Sequence, residues 1–244
     1  MSPYPPPTFT SAHGRARVVK ILLIAGAIIA VLSLLSDALS IALFAPIDDQ
    51  DFATDPIGAV RLLIGVALGL LDLAIYVTTA VFFLMWLYRA HSNLFAIDSS
   101  RPLDYSTGWA VGSFFIPFVS LIVPYRAVKE LWQRSGSPDE ALLFEPSPPG
   151  FFPFWWLFWL LSAFAGNISF RISFDRNVEE NIALTISIIA GGLSFIAAVF
   201  AYLVVDEIDK RQEETGAKLN LGKFSGPPPP PVNFAASELS SVSG

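Results

Sequence analysis

The chain of 244 residues contains no cysteine. Disulfides, thiolate metal sites and thiol nucleophiles are therefore excluded together. Histidine is almost as scarce, with only His13 and His91, and charged residues make up 15% of the total. No HExxH, GxSxG or phosphate-binding glycine loop occurs. The net charge of −6 argues against a nucleic-acid partner, which would want a basic face. A soluble-type catalytic site has few parts to draw on. We expect no catalytic residue, no metal site, no cofactor and no enzymatic activity.

Apolar residues are what the chain has in excess, at 53%. They fall in long uncharged runs, which read as membrane spans rather than as a soluble core. The first run, 21–44, is interrupted only by Asp37. Arg15, Arg17 and Lys20 precede it, and it is too long for the core of a cleaved leader. The second, 62–88, carries Asp72 as its lone charge. A third, 105–125, is uncharged but holds Pro117 and Pro124. The fourth, 151–170, is rich in tryptophan, and the last, 181–205, has no charge. The expected organisation is a disordered proline-rich arm at 1–17, a helical membrane domain at 18–212 and a disordered proline-rich tail at 213–244. The acidic stretch Asp48, Asp49, Asp51 and Asp55 lacks the spacing and glycine of a calcium loop, so it reads as a solvated loop.

Whether 105–125 crosses the bilayer decides the architecture. Lys and Arg near span ends favour the cytoplasmic side. With the N-terminus inside and five crossings, seven basic residues fall inside and eight outside. If the segment turns back, the inner set is Arg15, Arg17, Lys20, Arg89, Arg101, Arg126, Lys129, Arg134, Lys210, Arg211, Lys218 and Lys223. Only Arg61, Arg171 and Arg176 then lie outside. Twelve against three is the asymmetry the rule expects. Pro117 and Pro124 each remove a backbone donor and disfavour helix in the residue before them. Beyond Pro124 an amphipathic helix is expected. Tyr125, Val128, Leu131 and Trp132 would share one face, and Arg126, Lys129, Glu130 and Gln133 mostly the other. Such a helix suits the inner headgroup region. The expected fold is thus an all-α integral membrane protein, with four transmembrane helices plus a proline-broken re-entrant or interfacial helix. Five transmembrane helices are the alternative.

Several motifs occur here in order: "FLMWLYRAHSNL", "YSTGWAVGSFFIPFVSLIVPYRAVKELWQRS" and "FPFWWLFWLL". With Trp86, Arg89, Asn93, Trp109, Pro117, Pro124, Tyr125 and Trp132 in place, the chain resembles the domain of unknown function 4328 family. That resemblance runs from the second span to the end of the last. It implies a bacterial polytopic membrane protein and supplies no activity.

Two intramembrane carboxyls stand out, because ionisable groups in hydrocarbon are costly. Asp72 shares a helix face with Gly65, Gly69, Tyr76 and Thr79, a pattern expected of a helix–helix seam. Asp37 has Ser33, Ser36 and Ser40 near it, and is expected to pair with Arg61 or Arg171. Asp37, Asp72, Tyr76 and Arg61 form one candidate polar cluster, read either as packing or as a proton or cation site. Arg89, Asn93, Trp109, Pro117, Pro124, Tyr125, Arg126 and Trp132 form a second, an inner-face aromatic–basic motif. Arg89, His91 and Asn93 could meet anionic headgroups or simply be a solvated helix end. Small residues at Ser187, Gly191, Ser194 and Ala198 point to close packing, and small-residue faces leave room for a homo-oligomer. The proline tract at 227–231 could dock a protein partner or act as a stiff linker. The expected function is a non-enzymatic module of the bacterial cell membrane, with cytoplasmic termini, that organises lipids or recruits partners. A small transporter or channel using the Asp residues is the alternative.

Overall fold

A computed structural model describes residues 8–43, 56–136, 138, 146–173, 175 and 177–221. The acidic stretch at 48–55 and the proline tract at 227–231 lie outside these residues. All regular structure among the described residues is helical. In chain order it comprises α1 (His13–Leu43), α2 (Pro56–Ile97), α3 (Thr107–Gly112), two 3-10 turns (Ser113–Phe115 and Val119–Leu121), α4 (Val123–Arg134), α5 (Phe151–Ile172) and α6 (Glu180–Lys218).

Four of the helices, α1, α2, α5 and α6, are long and apolar enough to cross a membrane. The shortest, α5, has 22 residues. At about 1.5 Å per residue it spans about 33 Å, enough for the hydrocarbon core. The chain is therefore a multi-pass membrane protein in contact with the bilayer. By contrast, α2 has 42 residues and α6 has 39. Each is far longer than the core requires, so one end of each projects beyond it. The apolar run of α2 ends near Met85 and that of α6 near Val205.

These projecting ends organise the packing. Here α2 and α6 meet α4, the start of α1 and the first turns of α5. They enclose Trp86, Leu87, Leu94, Val128, Leu131, Phe152, Val204 and Ile208, each almost wholly shielded from solvent. The four helices in the membrane form a row, with α1 between α2 and α6 and α6 between α1 and α5. Glycine permits close approach at two places. A Cβ on Gly191 would come within 3.3 Å of Leu34, and one on Gly26 within 3.5 Å of Ile75. The expected close packing on the last span is thus realised at Gly191, against α1.

Both outer boundaries of the membrane domain shift. The first helix begins at His13, inside the stretch expected to be an arm, and Phe9 packs against the core. The last helix runs to Lys218, past the expected boundary at 212. It stops where Asn220 takes a left-handed conformation (φ 52°), a backbone state common at helix ends. Tertiary contacts explain both shifts. Asp209, Gln212, Thr215 and Gly216 are buried, which holds the extra turns in place.

Candidate functional site

The segment between α2 and α5 is a broken hairpin. Asp98 closes α2, and the Ser100 hydroxyl and amide both donate to it. The Ser100 hydroxyl is the main cause holding the Asp98 carboxyl below the usual carboxylate range, with Arg101 adding to it. The Ser106 hydroxyl caps α3 by accepting from the Trp109 amide at 3.2 Å. Helix then gives way at Pro117. Phe118 adopts φ 65°, and the Val119 amide donates to the Pro117 carbonyl at 2.8 Å. That is a γ-turn of the uncommon positive-φ form, strained for an aromatic residue. Pro124 then sits in the first turn of α4, where its missing donor costs nothing.

The two limbs are tied together at their base. Glu130 Oε1 accepts from the Asp104 amide at 2.6 Å, and Oε2 accepts from the Tyr105 amide at 3.3 Å. Arg134 donates to the Pro102 carbonyl at 2.5 Å. From α2, His91 Nδ1 meets the Thr107 hydroxyl at 3.3 Å, while its Nε2 lies 3.8 Å from Glu130. A segment whose incoming and outgoing limbs share a carboxylate has returned to the side it left. The bend therefore turns back on itself, and among the described residues only α1, α2, α5 and α6 are long and apolar enough to cross.

Its depth can be read from the aromatic contacts. Phe114 packs edge-on against Trp156 and Trp159 and against Phe83. Trp159 lies eight residues into α5, about 12 Å from its start. The Trp156 indole donates to the Leu121 carbonyl at 2.8 Å, satisfying an acceptor that the broken helix leaves open. At the tip Phe115 is 72% exposed and Phe118 84%. The hairpin thus reaches about 12 Å along α5 and leaves aromatic side chains exposed at its tip.

The sequence-predicted residues around this hairpin separate. Trp109 and Arg126 are exposed, and Tyr125 is half-buried against the core. Trp132 is in the protein core, not at a headgroup face; its indole donates to Glu207 at 3.4 Å and Arg211 stacks over its ring at 4.4 Å. Glu130, expected on the polar side of α4, is buried because the hairpin base needs a double acceptor. Asn93 and His91 are buried too, so neither can meet a headgroup. Asn93 instead clamps Thr10, accepting from its amide at 3.2 Å and donating to its carbonyl at 3.0 Å. Arg89 donates to the same carbonyl at 3.2 Å.

The first candidate cluster does not assemble. Arg61 pairs with Glu180 at 3.0 Å, not with Asp37. Arg171 bonds Asn167 at 2.9 Å. Asp37 faces Ser187 on α6. Asp72 lies on an exposed face of α2 with Tyr76, and the space beside Gly65 and Gly69 is open. The expected seam at Asp72 is therefore not filled by any described element, since α1 packs against the neighbouring stripe that holds Ile75.

Sequence reasoning missed the polar core of the projecting end. Gln212 donates to the Ala90 carbonyl at 2.7 Å and to the Ser135 hydroxyl at 3.1 Å, and accepts from Asn93 at 3.3 Å. Buried Asp209 accepts from Lys20 at 3.3 Å and meets His13 at 2.9 Å, while Asp206 holds Lys20 and Lys210. The signal was available: Asp206, Asp209 and Gln212 recur at helical spacing just past the last apolar residue. Among the described residues, no three His, Asp or Glu side chains gather as a metal site.

The basic residues sort by end. Arg15, Arg17, Lys20, Arg89, Arg101, Arg126, Lys129, Arg134, Lys210, Arg211 and Lys218 share the end with the buried core, while Arg61 and Arg171 lie at the other. Lys223 and Arg176 lie outside the described residues. No curated protein and no solved structure matches the chain. The family model for a domain of unknown function, DUF4328, matches residues 58–210, from the start of α2 through the hairpin to the projecting part of α6, and the chain belongs to that family.

Proposed function

We propose that this protein is a non-enzymatic module of the bacterial cell membrane that organises the lipids of one leaflet. Its basic end faces the cytoplasm, in keeping with the bias of Lys and Arg. The observation that carries the reading is the hairpin at 102–134. Its base is closed by Glu130 and its tip exposes Phe115 and Phe118. Such a wedge displaces acyl chains in one leaflet only, and a folded platform of projecting helices stands beneath it. The chain after α6, with its proline tract, would leave from the same end and meet cytoplasmic partners there.

Transport through Asp37 and Asp72 is less well supported. Asp37 turns toward α6, and Asp72 lies on an exposed face of α2 with no partner among the described residues. A second copy laid against that face would cover the Asp72 carboxyl, so self-association belongs to the same proposal.

Spin labels in liposomes test the wedge. A nitroxide at Phe118→Cys is expected to be more accessible to oxygen than to a water-soluble nickel chelate, and one at Arg126→Cys the reverse. Equal chelate access at both positions would refute insertion.

A further inference from the structure

Arg15 and Arg89 form a like-charged pair with no acid to neutralise it among the described residues. Arg15 reaches across from α1 to within 3.5 Å of the Met85 carbonyl of α2. Arg89 stands one turn further along the same face of α2, and the two guanidiniums repel each other. Neither has a carboxylate partner among the described residues, and residues 1–7 contain no acid. The nearby acids are engaged elsewhere. Asp206 and Asp209 bind Lys20 and His13, which lie on the far side of α1 from Arg15, and Glu213 accepts from Ser11.

The pair also sits at a defined depth. Met85, at the end of the apolar run, is 45% exposed, and Tyr88 is 53% exposed. An apolar side chain followed by an amphipathic aromatic marks the boundary between hydrocarbon and headgroups. Each guanidinium has one contact to a backbone carbonyl, at 3.5 Å for Arg15 and 3.2 Å for Arg89, and its remaining donors are uncommitted among the described residues. Guanidinium forks match phosphate oxygens geometrically and electrostatically.

We propose that Arg15 and Arg89 together bind the phosphate of an anionic phospholipid, with Met85 and Tyr88 against its upper chains. This deepens the lipid-organising reading and rests on it for the source of the phosphate. The bound anion would remove the repulsion between the two cations and tie α1 to α2.

The test is thermal unfolding of the full chain in a neutral detergent, titrated with short-chain phosphatidylglycerol, short-chain phosphatidylcholine or inorganic phosphate. Phosphatidylglycerol is expected to raise the midpoint saturably and phosphatidylcholine not. Arg15→Gln should weaken the phosphatidylglycerol response about tenfold, the loss of one charge-assisted fork. Arg89→Lys, which keeps the charge but loses the fork, should fall between. An undiminished response in Arg15→Gln overturns the site. A response to inorganic phosphate equal to that for the lipid overturns the lipid as its source and leaves a phosphate site. Neither result bears on hairpin depth, which the spin labels measure separately.

Discussion

Replacing Glu130 with alanine is expected to cost about 3 kcal/mol of stability, the largest effect of any single change in the hairpin. The carboxylate is 7% exposed and is the acceptor for two backbone amides, those of Asp104 and Tyr105. A hydrogen bond to a charged group contributes about 1.5–3 kcal/mol. Glu130→Ala removes the acceptor of two such bonds at once, at the point that closes the base of the hairpin. Glu130→Gln keeps one good acceptor and should cost about half as much. Thermal unfolding in detergent reads both. Equal, small losses in the two variants would show that the base does not depend on this carboxylate.

The second large effect is expected at Gln212. Leucine is close to it in size, so Gln212→Leu leaves little cavity and isolates the polar contribution. It removes the donor to the Ala90 carbonyl and Ser135 hydroxyl and the acceptor for Asn93. We expect a loss of about 2 kcal/mol. The consequence should also be local. Asn93 holds Thr10 at both its amide and carbonyl, and Gln212 helps to hold Asn93. Hydrogen exchange at the Thr10 amide should therefore quicken about tenfold or more, equivalent to about 1.4 kcal/mol of local opening. Unchanged exchange at Thr10 would mean that Asn93 holds Thr10 without support from Gln212.

Which parts of this architecture were legible from residues alone follows from the range of the forces involved. The spans are a one-dimensional property: a run of about twenty apolar residues has no other stable home. The re-entrant bend was legible because two local rules agreed, the prolines at 117 and 124 and the distribution of Lys and Arg. The base of the hairpin was not. Helical spacing places Glu130 beside Lys129 and Gln133 on a polar face, and only contact with Asp104, 26 residues earlier, turns it inward. Trp132 was placed at the headgroups for the same reason. Amphipathicity reports that a face is apolar, not whether lipid or protein covers it. Asp72 failed in the opposite direction. Its glycine-rich face suits a neighbour, yet α1 packs one stripe away, through Ile75 and Gly26. Asn93, read as either a headgroup contact or part of a solvated helix end, is the clamp on the N-terminal segment.

The wedge requires that residues 102–134 leave and return on one side of the membrane. The absence of cysteine makes a direct measurement simple. Single cysteines at Ser99, before the hairpin, Ser147, after it, and Asn177, between α5 and α6, all occupy exposed positions. Each is treated in intact cells, and again after permeabilisation, with a membrane-impermeant maleimide. The re-entrant fold predicts that Ser99→Cys and Ser147→Cys are both protected until permeabilisation, while Asn177→Cys labels in intact cells. Protection of one of Ser99→Cys and Ser147→Cys together with labelling of the other would mean that the segment crosses the bilayer and is no wedge.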